Sequence, residues 1–297
     1  MDPTDPSSIM KLINDLCFDD NGGSTDQKEE EDKEEEVAEK ETELENTIVI
    51  EPEQRRKKLI VLGLGGLLVY RVYWYAENRI SQSQTFRCPD GIAGNFLVFK
   101  RPFCDDFLRF CFERFEVALW SSARRDNVMS VLHAMAGDYE DKFLFIWCQE
   151  ECTDTGFKNI DNRGKPLYLK ELKKIWEKEW PNGDQFSPSN TLFIDEEPCK
   201  ALRNPPHTGI FPPPFKADNV NDTFFAPKKR MMKILEGLAA TDEDVPSYVK
   251  QHKIGQPAIG PAHPHWNYYR KVVQPPTPLK VPGKSKQVKQ SWRVKTS

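Results

Sequence analysis

The sequence lacks an apolar run long enough to cross a bilayer. The longest such run, Leu59 to Tyr70, has about twelve residues and contains three glycines, whereas a membrane-spanning helix needs roughly 20 apolar residues. The first 23 residues carry five aspartates and one lysine, a pattern that suits neither a secretory signal nor a mitochondrial transit peptide. We therefore expect no membrane span and no import signal.

The cysteines and histidines lack the spacing of a zinc site. The seven cysteines form no C-x-x-C pair, and Cys148 and Cys152 are followed by no matching pair of His or Cys residues. His263 and His265 flank a proline near the C-terminus. This pattern favours reduced, buried thiols in an intracellular protein over a zinc site or a disulfide framework.

No acidic residue follows Asp244, while residues 26–45 are nearly all acids and lysines. Such a charged run buries too little apolar surface to offset its ordering entropy, which predicts disorder or a solvated helix. We predict an acidic disordered head over 1–54, a folded domain over 55–241 and a basic, proline-rich tail over 242–297. Tryptophans and tyrosines among the cations of the tail would suit nucleic acid or an acidic protein, although a solvated tail is the simpler alternative.

Between these ends, apolar runs typical of buried strands alternate with amphipathic segments. This alternation predicts an α/β fold with a parallel sheet and helices on both faces. The predicted strands are Leu59–Leu62, Phe96–Phe99, Phe115–Ser122, Lys142–Trp147 and Asn190–Asp195. The predicted helices are one that opens at Pro102-Phe103, then 123–137, Leu167–Trp180, a short one from Pro198 and Pro227–Ala240.

Polar side chains follow several of these strands. Ser121 and Ser122 end one, Asp195 and Glu196 follow another, and Lys170 lies in the segment YLKEL. Because ligands bind outside the carboxyl ends of parallel strands, a hydroxyl, a lysine and acids gathered there would suit a phosphoryl-transfer site. The simpler alternatives are helix capping by the serines, a solvated lysine on an amphipathic helix and a helix start at the acids.

The turn GLGG at residues 63–66 is not a dinucleotide-binding or Walker loop. The dinucleotide fingerprint needs a third glycine where this chain has Leu68, and the Gly-Lys-Ser/Thr of the Walker pattern is absent. A tight turn at the end of a buried strand remains open at this point.

Four spaced motifs in this order resemble the NLI-interacting-factor-like, or CTD-phosphatase-like, branch of the haloacid dehalogenase superfamily. They read LIVLGLGGLLV, KRPFCDDFLRFCFERFEVALWSSA, YLKELKKIW and TLFIDEEPCKALRNPP, and they extend from about Lys57 to Pro214. The wording is closest to plant-type members. The resemblance implies a Rossmann-like α/β domain with a small β cap insertion, flanked by the two predicted tails.

In that family the first strand is followed by two aspartates, of which one is the nucleophile and the other the general acid and base. The resemblance puts these positions at Gly63 and Gly65, so both carboxylates are missing. It also assigns phosphate binding to Ser121 and Lys170 and magnesium binding to Asp195, with Glu196 beside it. The Mg²⁺ site would therefore be weakened.

These residues predict a phosphatase-like protein that binds a phosphorylated or acidic protein segment without efficient hydrolysis. Two alternatives stay open. One is an active, magnesium-dependent protein-serine phosphatase that recruits another acid. The other is a presequence-binding component of the mitochondrial inner-membrane translocase, which resembles the same domain family. The first two functions predict a nuclear or cytoplasmic location, the third the mitochondrial inner membrane.

Overall fold

The computed structural model describes residues 56–73, 88–135, 139–160, 164–180, 183 and 185–274. The acidic head and the last part of the basic tail lie outside these ranges, and so does the predicted helix stop at Gly137. Among the described residues, no helix combines the length and the apolar character that a bilayer span requires.

A five-stranded parallel sheet forms the centre of the domain, in agreement with the predicted α/β class. Its strands are β1 (Leu59–Leu62), β5 (Glu116–Trp120), β6 (Ile146–Trp147), β9 (Thr191–Ile194) and β10 (Gly209–Ile210). The order is β10-β9-β1-β5-β6, and every pair is parallel. The central strand β1 is completely buried, because Ile60 and Leu62 pack into one apolar cluster and Leu59 and Val61 into another.

Two smaller antiparallel units complete the strands. The strands β2 (Val69–Tyr73), β3 (Gly91–Ala93) and β4 (Phe96–Lys100) form a sheet in the order β2-β4-β3, inserted between β1 and the first helix. This sheet occupies the position of the predicted cap insertion. The strands β7 (Thr153–Lys158) and β8 (Pro166–Leu169) form a hairpin.

Six α-helices lie within the described residues, and those that start at Cys104, Arg125 and Arg230 begin near residues that the sequence predicts. A short 3-10 helix, Pro198–Ala201, follows β9 and starts with proline at its first position. The α-helices are α1 (Cys104–Arg114), α2 (Arg125–Ala134), α3 (Lys173–Trp176), α4 (Arg230–Ala240), α5 (Val245–Gln251) and α6 (Trp266–Val273).

Two segments depart from the predicted elements. The predicted helix Leu167–Trp180 is wrong, because its first part is strand β8 and only Lys173–Trp176 forms one α-helical turn. The predicted strand Lys142–Trp147 is shorter than expected, since only Ile146 and Trp147 pair with β5 at the edge of the sheet.

The fold also extends beyond residue 241, where the sequence predicts the start of a tail. Helices α5 and α6 bury apolar side chains against the domain. Between them, the Gln256 side-chain amide donates hydrogen bonds to the carbonyl oxygens of Glu196 and Pro212, both at 2.8 Å. Residues 242–274 therefore belong to the folded unit rather than to a tail.

Candidate active site

The turn after β1 lies between the ends of its two neighbours, β5 and β9. Because all three strands are parallel, their carboxyl ends meet at one edge of the sheet. The Gly63 amide donates to the Ile194 carbonyl at 2.8 Å, so the glycine turn lies directly beside Asp195. The predicted site residues of β1 and β9 are thus brought together.

Lys170 enters this site from the end of hairpin strand β8, and it is not a solvated lysine on a helix. Its backbone amide donates to the Lys200 carbonyl at 2.9 Å, and its own carbonyl accepts from the Asn204 side chain at 3.0 Å. Its ammonium group donates to Asp195 Oδ2 at 2.5 Å, and both side chains are buried. Lys170 is therefore paired with an acid rather than free to meet a ligand alone.

Asp195 is ionised although it is completely buried. Burial by itself would raise its pKa, but the charges of Lys170 and Lys200, together with the hydrogen bonds from Lys170 and from the Glu197 amide, lower the pKa of Asp195 to about 2. A buried carboxylate held by two ammonium groups contributes stability only while all three partners remain, because removing one leaves an uncompensated charge.

Glu196 has the opposite character. Burial and the neighbouring negative charge of Asp195 raise the pKa of Glu196 to about 8, so the side chain holds a proton at neutral pH. Its Oε2 atom has no hydrogen-bond partner among the described residues. The site thus contains a neutral carboxylic acid next to an ionised one.

Lys200 is a site residue that the sequence reasoning missed. Its ammonium nitrogen lies 3.2 Å from Asp195 Oδ1, 3.1 Å from Glu196 Oε1 and 2.7 Å from Glu197 Oε2. Burial would lower its pKa, but the three acids raise the pKa of Lys200 well above its usual value. The spacing of Lys200, three and four residues after two acids and just beyond a helix-starting proline, is the signal that could have revealed it.

Ser121 lies at the end of β5 and is buried, but it does not cap a helix. Its Oγ atom accepts from the Ala123 amide at 3.2 Å, closing a local turn, and helix α2 starts later, after Arg124. Ser121 and Ser122 both line the cleft beside the glycine turn. The capping interpretation is therefore wrong, and a hydroxyl at the cleft wall remains.

The glycines of the turn differ in what surrounds them. A Cβ on Gly63 would lie 2.7 Å from Asp195 Oδ2, whereas a Cβ on Gly65 would meet nothing within 4 Å. Gly66 has φ +76°, and a Cβ there would lie 2.6 Å from Glu196 Cγ. Only Gly66 is required by the backbone of the turn, because L-residues rarely adopt positive φ.

A cleft of about 260 Å³ opens at this edge of the sheet. Two further cations border it, Arg71 from β2 and Lys165 directly before β8. Asn127 and Asn159 add amide groups, and the Asn159 amide donates to Glu197 Oε1 at 3.0 Å. Four cations and two acids line the cleft, and this balance favours an anion as ligand.

One group of acids in the described residues could hold a metal ion. Asp195, Glu196 and Glu197 bring carboxylate oxygens within 4.8 Å of one another. Carboxylate oxygens suit Mg²⁺ in their chemistry. All three carboxyl groups, however, already contact the Lys200 ammonium group, and Glu196 would have to lose its proton before it could serve as a charged ligand.

A sequence model of the NLI interacting factor-like phosphatases matches residues 58–246. The chain belongs to this family. The match covers the central sheet, the cap strands, the hairpin and the cleft, and it ends within helix α5. Family membership thus agrees with the resemblance that the four motifs indicate, and magnesium is the metal usual for phosphatases of this type.

Curated proteins and solved structures include proteins that are similar to this chain. An uncharacterized FCP1 homology domain-containing protein from Schizosaccharomyces pombe is 27% identical over 154 residues, which are 50% of this chain and 58% of that protein. Two structures of the RNA polymerase II CTD phosphatase Fcp1, one of them from fission yeast and bound to beryllium fluoride, are 14% and 13% identical, with TM-scores of 0.35 and 0.34. Each comparison covers 74% of this chain and 62% of the Fcp1 chain. The chain therefore spans about three fifths of the length of these relatives.

Proposed function

We propose that this NLI interacting factor-like chain is a phosphatase-like binding protein, which holds a phosphorylated or acidic protein segment in its cleft with little or no hydrolysis. One observation carries the proposal. Gly63 and Gly65 follow β1 where the family resemblance puts the nucleophile and the acid–base group, yet the cations of the cleft remain.

Glycine has no side chain, so neither position can attack phosphorus or transfer a proton. Loss of a nucleophile typically lowers the rate by several orders of magnitude. Magnesium would also lose a ligand at Gly63, which weakens its binding. The space beside Gly63 is instead occupied by the Asp195 carboxylate, 2.7 Å from where a Cβ would lie.

The remaining groups suit a phosphate better than a neutral ligand. Arg71 and Lys165 border the cleft, Ser121 places a hydroxyl in its wall, and Asn127 adds an amide. Charge-assisted hydrogen bonds of this kind are the strong ones in anion recognition. A phosphoserine segment of a protein is the ligand that we propose.

The test is hydrolysis and binding of a phosphoserine peptide by the natural chain and by the variant Gly63→Asp/Gly65→Asp. We expect binding without turnover in the natural chain and Mg²⁺-dependent turnover in the double variant. The single variant Gly65→Asp should fold without strain, since nothing lies within 4 Å of its Cβ position. Gly63→Asp requires Asp195 to move. Each single variant supplies only one of the two missing carboxylates, so only the double variant can restore both the nucleophile and the acid–base group.

Gly260→Asp is the matched control, because a Cβ at Gly260 also meets nothing within 4 Å and this glycine lies away from the cleft. It should leave binding unchanged. Turnover by the natural chain, or failure of the natural chain to bind any phosphoserine peptide, would contradict the proposal.

A second candidate is an active phosphatase that uses another acid. It is favoured by the unpartnered Oε2 of Glu196, which lies 3.4 Å from the Cβ position of Gly63. Turnover by the natural chain that Asp195→Asn or Glu196→Gln abolishes would establish this function instead.

For location we propose the nucleus or the cytoplasm, with the mitochondrial inner membrane as the alternative that a presequence receptor would need. Binding of nucleic acid through the basic residues after 274 is likewise a proposal. Imaging of the tagged chain distinguishes the two locations, since a mitochondrial signal would support the transport role.

A further inference from the structure

The acid cluster of the cleft surrounds a cation that belongs to the chain itself. Carboxyl groups from three consecutive residues, Asp195, Glu196 and Glu197, converge within 4.8 Å. The Lys200 ammonium nitrogen lies between 2.7 and 3.2 Å from an oxygen of each. No other group of three or more potential metal ligands occurs in the described part of the chain.

Lys200 is held in this place by local structure. Lys200 follows Glu197 by three residues and Glu196 by four, and it lies in the 3-10 helix 198–201, which starts at Pro198. The Lys200 amide donates to the Glu197 carbonyl at 3.0 Å, and its carbonyl accepts from the Lys170 amide at 2.9 Å. The side chain is about nine-tenths buried, so it is not a surface lysine that happens to meet acids.

We propose that the Lys200 ammonium group takes the place of the divalent cation in this cleft, so that anion binding needs no magnesium and the acid cluster excludes it. This inference rests on the proposed function as far as the anion is concerned, and it deepens it by naming the cation. A metal ion would have to displace a buried ammonium from all three carboxyl groups at once. The cost of leaving that ammonium unpaired opposes the exchange.

The same geometry makes Lys200 a contact for the bound anion. Lys200 lines the cleft together with Gly65, Ser121 and Arg71. Magnesium in a phosphoryl-transfer site neutralises phosphate charge, and an ammonium group can supply one positive charge at the same wall. Lys170 lines the same cleft, and its ammonium group contacts Asp195 at 2.5 Å.

The first experiment measures Mn²⁺ binding by electron paramagnetic resonance, with Mn²⁺ as a probe for the Mg²⁺ position. The natural chain is compared with Lys200→Met, which keeps the length of the side chain and removes its charge. We expect Lys200→Met to bind one Mn²⁺ at the acid cluster with a Kd at least about tenfold lower than that of the natural chain, because the lysine no longer competes for the acids. Added Mg²⁺ should displace it.

Two matched variants control this comparison. Lys200→Arg keeps the positive charge and should behave like the natural chain. Lys173→Met removes the charge of an exposed lysine, whose ion pair with Glu177 is on the surface, and should also have no effect. The acidic residues 26–45 add the same weak Mn²⁺ background to every variant, so only the difference between variants reports the cleft. If Lys200→Met fails to fold, Lys200→Gln replaces it.

The second experiment measures affinity for a phosphoserine peptide in EDTA and in excess Mg²⁺. We expect the natural chain to bind equally in both, and Lys200→Met to bind at least about tenfold more weakly in EDTA and to recover in Mg²⁺. Equal Mn²⁺ binding by the natural chain and Lys200→Met, or a tenfold Mg²⁺ dependence of the natural chain, would overturn the inference. A gain of Mn²⁺ binding by Lys200→Met without any peptide binding would support the cation exchange while contradicting the proposed function.

Discussion

Burying Glu196 lowers the stability of the folded chain whenever its carboxyl group is ionised. The group is surrounded by Asp195, Glu197, Lys170 and Lys200, and burial is the largest cause of its raised pKa. In the unfolded chain the pKa of Glu196 returns to about 4.5. Between pH 4.5 and 8 the folded chain therefore binds a proton that the unfolded chain has lost.

This difference predicts a pH dependence with a definite sign. Stability falls as pH rises from 4.5 toward 8, because the unfolded state binds fewer protons in this window. Glu196→Gln is neutral at every pH and should remove this fall. The free energy of unfolding of Glu196→Gln minus that of the natural chain should therefore increase by more than about 1 kcal/mol between pH 5 and pH 8. The pKa of Asp195 is about 2, so Asp195 stays ionised throughout this range.

Urea unfolding of both chains at several pH values is the measurement. The control is Glu236→Gln on the exposed face of α4, which should have no pH-dependent effect. A constant difference between Glu196→Gln and the natural chain would show that the proton is not held on Glu196.

At the scale of single elements, the turn after β1 contains three glycines, of which only Gly66 is required by the backbone conformation. Gly66 adopts φ +76°, its amide donates to the Val69 carbonyl at 2.7 Å, and its carbonyl accepts from Phe215 at 2.8 Å. A methyl group at this position would overlap Glu196 Cγ. The turn thus fixes both the exit of β1 and the packing of the Glu196 side chain.

Gly66→Ala should therefore destabilise the chain by about 1–3 kcal/mol, through strain at positive φ and displacement of Glu196. Gly65→Ala is the matched control in the same turn and should change stability by less than about 0.5 kcal/mol, since its Cβ meets nothing within 4 Å. The free energies of unfolding of both variants decide the prediction, and equal values would contradict it.

The elements also show where the sequence was sufficient for prediction. The strands β1, β5 and β9 are continuous apolar runs, so local sequence predicts them together with the edge of the sheet where the site lies. Segment 167–180 misled the prediction. Leu167 and Leu169 alternate as in a strand, while Leu172 and Ile175 follow helical spacing, and pairing with β7 decides for the strand. Contacts distant in sequence settle such cases.

The same limit applies to the site. The resemblance assigned Ser121, Lys170, Asp195 and Glu196 to one place, and the structure gathers them around the glycine turn. It did not assign Lys200. The spacing of Lys200 after Glu196 and Glu197 is visible in the sequence, but its contact with Asp195 is seen only in the folded chain. The ion pair between Lys170 and Asp195 also depends on where hairpin β7–β8 packs.

At the scale of the whole molecule, the folded unit depends on residues after 241. Helices α5 and α6 bury five large side chains, and Gln256 ties the segment between them to the carbonyl of Glu196. These buried side chains are Val245, Tyr248, Val249, Tyr269 and Val272. The prolines of this region and the absence of acids after Asp244 concealed its contribution to the core.

A chain ended after Thr241 should lose its cooperative thermal transition. Burial of each large apolar side chain contributes about 1.5–3 kcal/mol, so the loss of five approaches the whole stability of about 5–15 kcal/mol that a domain has. Circular dichroism during heating is the measurement. A chain ended after Gln274 keeps every contact described above and serves as the control, and equal melting of the two truncated chains would contradict the prediction.

The placement of Lys200 among three acids has a consequence for how the cleft would respond to its surroundings. A cation attached to the chain is always present at the same effective concentration, whereas a free ion comes and goes with its supply. Chelating metabolites and competing metal ions would therefore leave the charge of this cleft unchanged. If the chain binds a phosphorylated partner as proposed, the occupancy of the cleft would follow the amount of that partner and not the supply of metal ions.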